Sequence, residues 1–456
     1  LFALEDKIQH SIDDGDLGFV KVNNLNTYVT PNSFIAPATT TPSIQRGIDA
    51  ASNGWTVNVT SGTFTENILI GKPLTLLGAN ANIPCAAGRS TETKIQPASA
   101  GTTPVTLTGA GSSDNVTING FEITGTSSNN AIYCGGDGPS GLNIIFNYIH
   151  NIGTDRGSGN VYAINYRVNV PNTSNVNISD NCIENVLNNT SLALGNSAAI
   201  WLGQSTATGV VSNLSIQRNI IKNIFSYLDT KDASGIYLGV AWGAGTGGVA
   251  SPLISENEIS NIRGGVAYGI QLSGKTPGAI VRNNTIDNVT SSPNPTFVAG
   301  VAAPSTNTGS ATITINENSF TNTLNSIVNG TASAISSTCN WYGNSSVATA
   351  SNATIGLVTY EPWLVTGTDN DVAIGFQPVP NSCTGATNLY VNDGVLNGDD
   401  VYTTAVGVDA NPGNFAAPFL TITKAVNTAV DGTQIWVDAG TFQEQVFIGK
   451  TVDITG

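Results

Sequence analysis

Along most of the chain, apolar residues recur at a spacing of two, in short runs closed by Asn, Gly, Ser or Asp. That is the period of a β-strand, whose successive side chains face opposite sides. From Ile144 on, one pattern repeats, Asn-x-Ile-x-Asn-apolar, at Asn147–Ile152, Asn181–Val186, Asn219–Ile224, Asn257–Ile262 and Asn284–Val289, and in weakened form at Asn318–Thr323. The first asparagines step by 34, 38, 38, 27 and 34 residues, and three positions before each lies an apolar residue, from Ile144 and Ile178 to Ile315. A second strip precedes each of the first five copies, at Ala131–Cys134, Ala163–Tyr166, Ala199–Leu202, Gly235–Leu238 and Gly269–Leu272. Helical hairpin repeats of similar length are excluded, because they need an apolar spacing of three to four.

Each repeat therefore carries about three short β-like runs, and a unit of that size cannot bury its apolar side alone. Stacked coils can, each hydrogen-bonded to the next at about 4.8 Å. The pattern predicts an all-β parallel β-helix with three short strands per coil. A side-chain amide at a fixed corner can donate to one neighbouring coil and accept from the other, making a ladder, and Asn tolerates the left-handed bend a corner needs. In such a stack Asp180, Arg218 and Glu256 fall on neighbouring coils, as do Glu184 and Lys222. Opposite charges there are favourable by roughly 0.2–1 kcal/mol per pair, which makes these ions structural rather than catalytic.

The repeat region opens on Pro42–Ala51, which reads as a short amphipathic helix capping the stack, followed by Gly54–Val59, Gly62-Thr-Phe-Thr-Glu66, Ile70-Gly-Lys72 and Leu74–Gly78. It closes on Cys339-Asn-Trp-Tyr-Gly343 and Val358–Leu364. Over roughly residues 42–365 the chain resembles the pectate-lyase-like right-handed β-helix superfamily, in particular the tandem-repeat surface and secreted β-helix proteins of bacteria. The resemblance implies a right-handed solenoid. The opening then recurs: residues 421–456 align without a gap on residues 43–78, with 12 identities in 36. The preceding Asp409–Phe419 resembles the lead-in of bacterial surface β-helix modules. The expected organisation is a segment or preceding cap at 1–41, a complete β-helix module at 42–365, a linker or cap at 366–400, and the beginning of a second module at 401–456.

Composition sharpens this picture. Lys and Arg number 16 against 31 Asp and Glu, a net charge of −15, which argues against a nucleic-acid partner and against docking on anionic lipid. Only 10% of residues are charged while 40% are hydrophobic, so the polar surface is mostly Asn, Thr, Ser and Gly, as suits strands better than helices. The longest charge-free stretch checked, Ala233–Ser255, is too rich in Gly, Ser and Thr to span a membrane. There is no Met and the chain begins at Leu1, as expected of a processed or truncated piece. Five Cys permit one or two disulfides and leave an odd thiol.

Candidate chemistry is sparse. Asp229 and Asp232, with Lys231 between, precede the Gly235–Leu238 strip and form a plausible rim, the only catalytic candidates worth naming. A glycosidase needs two carboxylates about 5–9.5 Å apart, and no family catalytic motif matches. Asp-rich turns such as Asp13-Asp-Gly-Asp16 and Asp399-Asp400 offer oxygen ligands of the kind Ca²⁺ takes, without EF-hand spacing; no other cofactor or metal is expected. The outward position of the second strip reads Tyr133, Asn165, Trp201, Tyr237, Gln271. Tyr133, Trp201 and Tyr237 are the candidate binding residues, since ring faces flanked by amides suit sugars.

The expected function is a non-catalytic, adhesin-like module of a large secreted or cell-surface bacterial protein, a stalk whose surface binds a polysaccharide, a cell-surface glycan or a partner. The first alternative is a polysaccharide lyase or glycoside hydrolase with a groove on the outer face. The second is a phage or virus fibre, which requires a trimer.

Overall fold

The computed structural model describes residues 1–86, 88–155, 159–169, 172–188, 195–204, 206–227, 231–241, 243, 245–291, 297–308 and 312–456. The chain is a right-handed parallel β-helix with three strands per coil, built from parallel sheets of 13, 9 and 10 strands, called A, B and C here in the order each coil visits them. One coil runs through 173–179 in sheet A, 182–188 in sheet B and 197–204 in sheet C. Its neighbours sit in register, with Ile178 beside Ile216, Ile183 beside Ile221, and Ile200 beside Ile236. Those aliphatic files point inward and are essentially inaccessible to solvent. Each buried Ile contributes roughly 1.5–3 kcal/mol, so the core is distributed along the whole stack.

The first asparagine of each repeat forms a continuous internal ladder. The Oδ1 of Asn181 accepts from both N and Nδ2 of Asn147, and the same pattern links Asn219, Asn257, Asn284, Asn318 and finally Asn340. All seven are fully buried. They are not the left-handed residues of the corner. That role falls to the residue before each, Phe146, Asp180, Arg218, Glu256, Asn283, Glu317 and Cys339, with φ between 51° and 59°. The left-handed conformation costs these non-glycine residues roughly 1–2 kcal/mol each, and the amide ladder one position later offsets it. The second asparagines, Asn151, Asn185, Asn223, Asn261 and Asn288, do adopt positive φ and form their own outer ladder, each Nδ2 donating to the previous Oδ1. This bend lies within the strands of sheet B, not between strands.

Of the expected charge ladders, one forms. Arg218 grips Asp180 through Nε and Nη2 at 2.8 and 2.9 Å and reaches Glu256 at 3.6 Å. Glu184 and Lys222 are register partners, but Glu184 accepts from the Tyr148 hydroxyl instead. A neutral phenol stacked on His150 reaches the carboxylate first.

Sheet A begins at Asn26–Val29, paired with Trp55–Val59, so part of the 1–41 segment is built into the stack. Helix Ile44–Ala50 lies under this end with Ile44 and Ile48 buried. At the other end, Trp363 is fully buried, its strand pairs antiparallel with Cys383–Gly385, and a disulfide joins Cys339 to Cys383. A second disulfide, Cys85–Cys182, ties the 79–92 loop to sheet B, and Cys134 is a buried free thiol. Within 366–400 the chain folds back on the solenoid: Phe376 N donates to Asn283 O, and Asn283 Nδ2 to Phe376 O. Beyond it, Asn388–Val391, Thr433–Val437 and Val452–Thr455 form a separate parallel sheet with helix Ile422–Thr428 and a core of its own. The helix and the last two strands lie 378 residues after their counterparts in the opening, with no slip.

Candidate functional site

The outer face of sheet C carries the predicted file. Tyr133, Asn165, Trp201, Tyr237 and Gln271 are consecutive register partners. A second outward file lies three residues upstream, not two: Asn130, Tyr162, Ala198, Ser234 and Tyr268. Between the files two consecutive residues turn inward, as in Ala163-Ile164 and Ala199-Ile200, all fully buried. Strict alternation puts Tyr162 and Tyr268 inside, which is why sequence reading missed them. The signal was present as an Ala or Gly at the same place in every strip, small enough for the strand to kink there.

The rings stack across coils. Tyr162 and Trp201 lie 5.1 Å apart between centroids with planes at 12°, and Trp201 and Tyr237 lie 5.9 Å apart at 1°. Parallel planes at those separations are offset. The rings overlap like shingles, and Trp201 shares its faces with a tyrosine on each side. This corrects the simplest expectation of free ring faces: what is presented outward is a stepped aromatic ribbon. Gly239 makes room for it, since a Cβ there would lie 2.2 Å from the Tyr237 ring. Tyr133 stands apart, separated from Trp201 by Asn165, and does not line the groove.

Two adjoining depressions of about 480 and 380 Å³ form the groove and share Asn160, Tyr162 and Trp201. Amides line it. Ser234 Oγ donates to Gln271 Oε1, whose Nε2 donates to Ser273 Oγ. On the other side Asn165 Nδ2 donates to Asn130 Oδ1, and Arg167 Nη2 to Gln204 Oε1. Asn160, Asn196 and Asp232 form a rail along one edge, each backbone N–H donating to the preceding Asn Oδ1.

Asp232 lines the groove with Trp201, Tyr237, Tyr162 and Tyr268. Burial pushes its carboxyl above the ordinary value, against the opposing charge of Lys231. Tyr237 is pushed up to about 12, chiefly by burial, with a hydrogen bond from Ser273 opposing and the Asp232 charge adding. Among the described residues Asp232 is the only carboxylate lining the groove. Asp229 lies outside the described residues. Of the cations considered beside it, Arg167 lines the far half and Lys231 does not line the groove.

Among the described residues there is no group of three or more His, Cys, Asp or Glu placed to hold a metal. The Asp-rich turns spend carboxylate oxygens on backbone amides: Asp13 accepts from His10, Asp14 from Asp16, Asp400 from Asn397, and Asp409 from Leu420 and Thr421. No described helix is long and apolar enough to cross a membrane.

Residues 405–451 match the model of a family described as a protein of unknown function (DUF1565). The matched stretch contains the second copy of the opening, with its helix, Gly440-Thr-Phe-Gln-Glu444 and Ile448-Gly-Lys450. No curated protein and no solved structure matches the chain.

Proposed function

We propose that the outer face of sheet C binds an extended glycan, and that the chain is a non-catalytic, stalk-like module of a secreted or cell-surface bacterial protein. The observation that carries this reading is the stepped ribbon Tyr162–Trp201–Tyr237 running across consecutive coils inside an amide-lined groove. Coils repeat at about 4.8 Å, close to the length of one hexose in an extended polysaccharide. Successive sugars then meet successive coils, each with an apolar ring edge or face and an amide within reach. Two disulfides suit an oxidising compartment. Retention on immobilised polysaccharides tests the reading: wild type is held by at least one of a neutral, acidic and amino-sugar panel, and Trp201→Ala is not.

One observation favours a second reading. A half-buried carboxyl with a raised pKa is what a general acid requires, and Asp232 is one. A polysaccharide-cleaving enzyme predicts soluble products from the same panel, abolished by Asp232→Asn. A glycosidase needs a second carboxylate, and none is present among the described groove residues, so the binding reading is preferred.

A further inference from the structure

Resting on the glycan reading, we infer that the Asp232 end of the groove is a subsite for an ammonium-bearing sugar, a hexosamine whose nitrogen carries no acetyl group. Asp232 shares this part of the groove with Tyr162, Trp201, Tyr237 and Tyr268. No ion pair to its carboxylate occurs among the described residues. What binds its oxygens best is a donor brought by the ligand, and a positively charged donor best of all, because a charge-assisted hydrogen bond is roughly twice as strong as a neutral one.

The four rings act in the same sense. Their π faces attract a cation and offer nothing to an anion. The Asp232 charge is felt by all three tyrosines, an independent sign that carboxylate and rings share one small space. Burial makes the unpaired carboxylate costly, and an ammonium within hydrogen-bond reach relieves that cost. A sugar carboxylate at the same place meets repulsion. A neutral N-acetyl group loses the charge and must fit a bulkier substituent against the rings. The groove is therefore expected to discriminate by the substituent on nitrogen.

The test is calorimetric titration of the whole chain with three β-1,4-linked hexamers: glucosamine, N-acetylglucosamine and glucose. The expected result is tightest binding of the glucosamine hexamer, weakened about tenfold by Asp232→Asn, with the affinity for the glucose hexamer unchanged by that substitution. Asp371→Asn, the same charge change on an exposed residue outside the groove, is the control for non-specific attraction to an acidic protein and is expected to change neither. Equal binding of the three hexamers, or equal loss in both variants, overturns the ammonium subsite and leaves the glycan groove standing. Binding of none of them, nor of any polysaccharide on the wider panel, overturns the groove reading itself. An unchanged melting temperature in Asp232→Asn shows that the variant folds.

Discussion

Glu444 and Lys450 hold opposite ends of one helix. The two carboxylate oxygens of Glu444 accept from the backbone N–H groups of Ile422 and Thr423 at 2.8 Å, and Lys450 Nζ donates to the carbonyls of Asn427 and Ala429 at 3.0 and 2.5 Å. Glu66 and Lys72 do the same for helix Ile44–Ala50, 378 residues earlier. An anion at the helix start and a cation at its end complement the helix dipole and satisfy groups left without intrahelical partners. This explains why Gly-Thr-Phe-x-Glu and Ile-Gly-Lys recur together, and both lie within the matched 405–451 stretch.

The C-terminal clamp is expected to fail in acid. Burial opposes ionisation of Glu444, yet hydrogen bonds from the side chain and amide of Thr423 and the amide of Ile422 outweigh it and hold the carboxyl below its ordinary value. Asp438 is held low in the same way by Thr403, Tyr402 and Val401. A carboxyl whose folded pKa is depressed stabilises the fold above its unfolded pKa and loses that contribution as pH falls through the folded value. Hydrogen exchange, corrected for intrinsic rates, is expected to show protection of Ile422, Thr423, Val401 and Tyr402 lost below about pH 4. The amides of Asn181 and Asn219 keep theirs. Uniform behaviour of both sets contradicts the clamp.

The inner and outer amide ladders are expected to differ in worth. Asn219→Ala leaves the buried N and Nδ2 of Asn181 and the carbonyl of Ile178 without a partner, at a cost of about 2–4 kcal/mol. Asn223→Gly removes a half-buried link but accommodates the left-handed backbone at φ 59°, and about 1 kcal/mol or less is lost. Urea denaturation compares them, and equal losses contradict the assignment.

Five cysteines and two disulfides leave one thiol, Cys134, raised far above its ordinary pKa by full burial. A colorimetric thiol reagent is expected to find none in the native protein and one per chain in denaturant. Rapid native reaction shows that the inner file of sheet C opens to solvent.

Gly239→Ala separates the groove from the fold. The added Cβ meets only the outer end of the Tyr237 ring, which can swing aside at little cost. Affinity for the bound glycan is expected to fall several-fold with the melting temperature nearly unchanged. Loss of both together means that the ring is part of the core.

Much of this architecture was legible in the residues. The spacing of Asn147, Asn181 and Asn219, with an Ile three places before each, was enough for parallel coils, the inner ladder and the Asp180–Arg218–Glu256 file. What escaped depended on phase and competition. Tyr162 joins the site only because Ala163 and Ile164 both turn inward, a kink that periodicity does not announce. The Tyr148 hydroxyl outcompetes Lys222 for Glu184, a choice made by side-chain reach rather than by register. Asn340 closes the inner ladder after a step of 22 residues from Asn318, too irregular to extrapolate. The rings of Trp201 and Tyr237 were correctly placed one coil apart, but their mutual overlap depends on χ angles that no sequence pattern states.

The most direct test of the central claim is titration of the full chain with the polysaccharide fragment that it retains best, followed in wild type and in Trp201→Ala. Saturable binding that disappears in the variant, while its melting curve stays cooperative, is the expected result. Undiminished affinity without the indole contradicts the account, because a glycan seated across sheet C cannot avoid the residue at the centre of the ribbon.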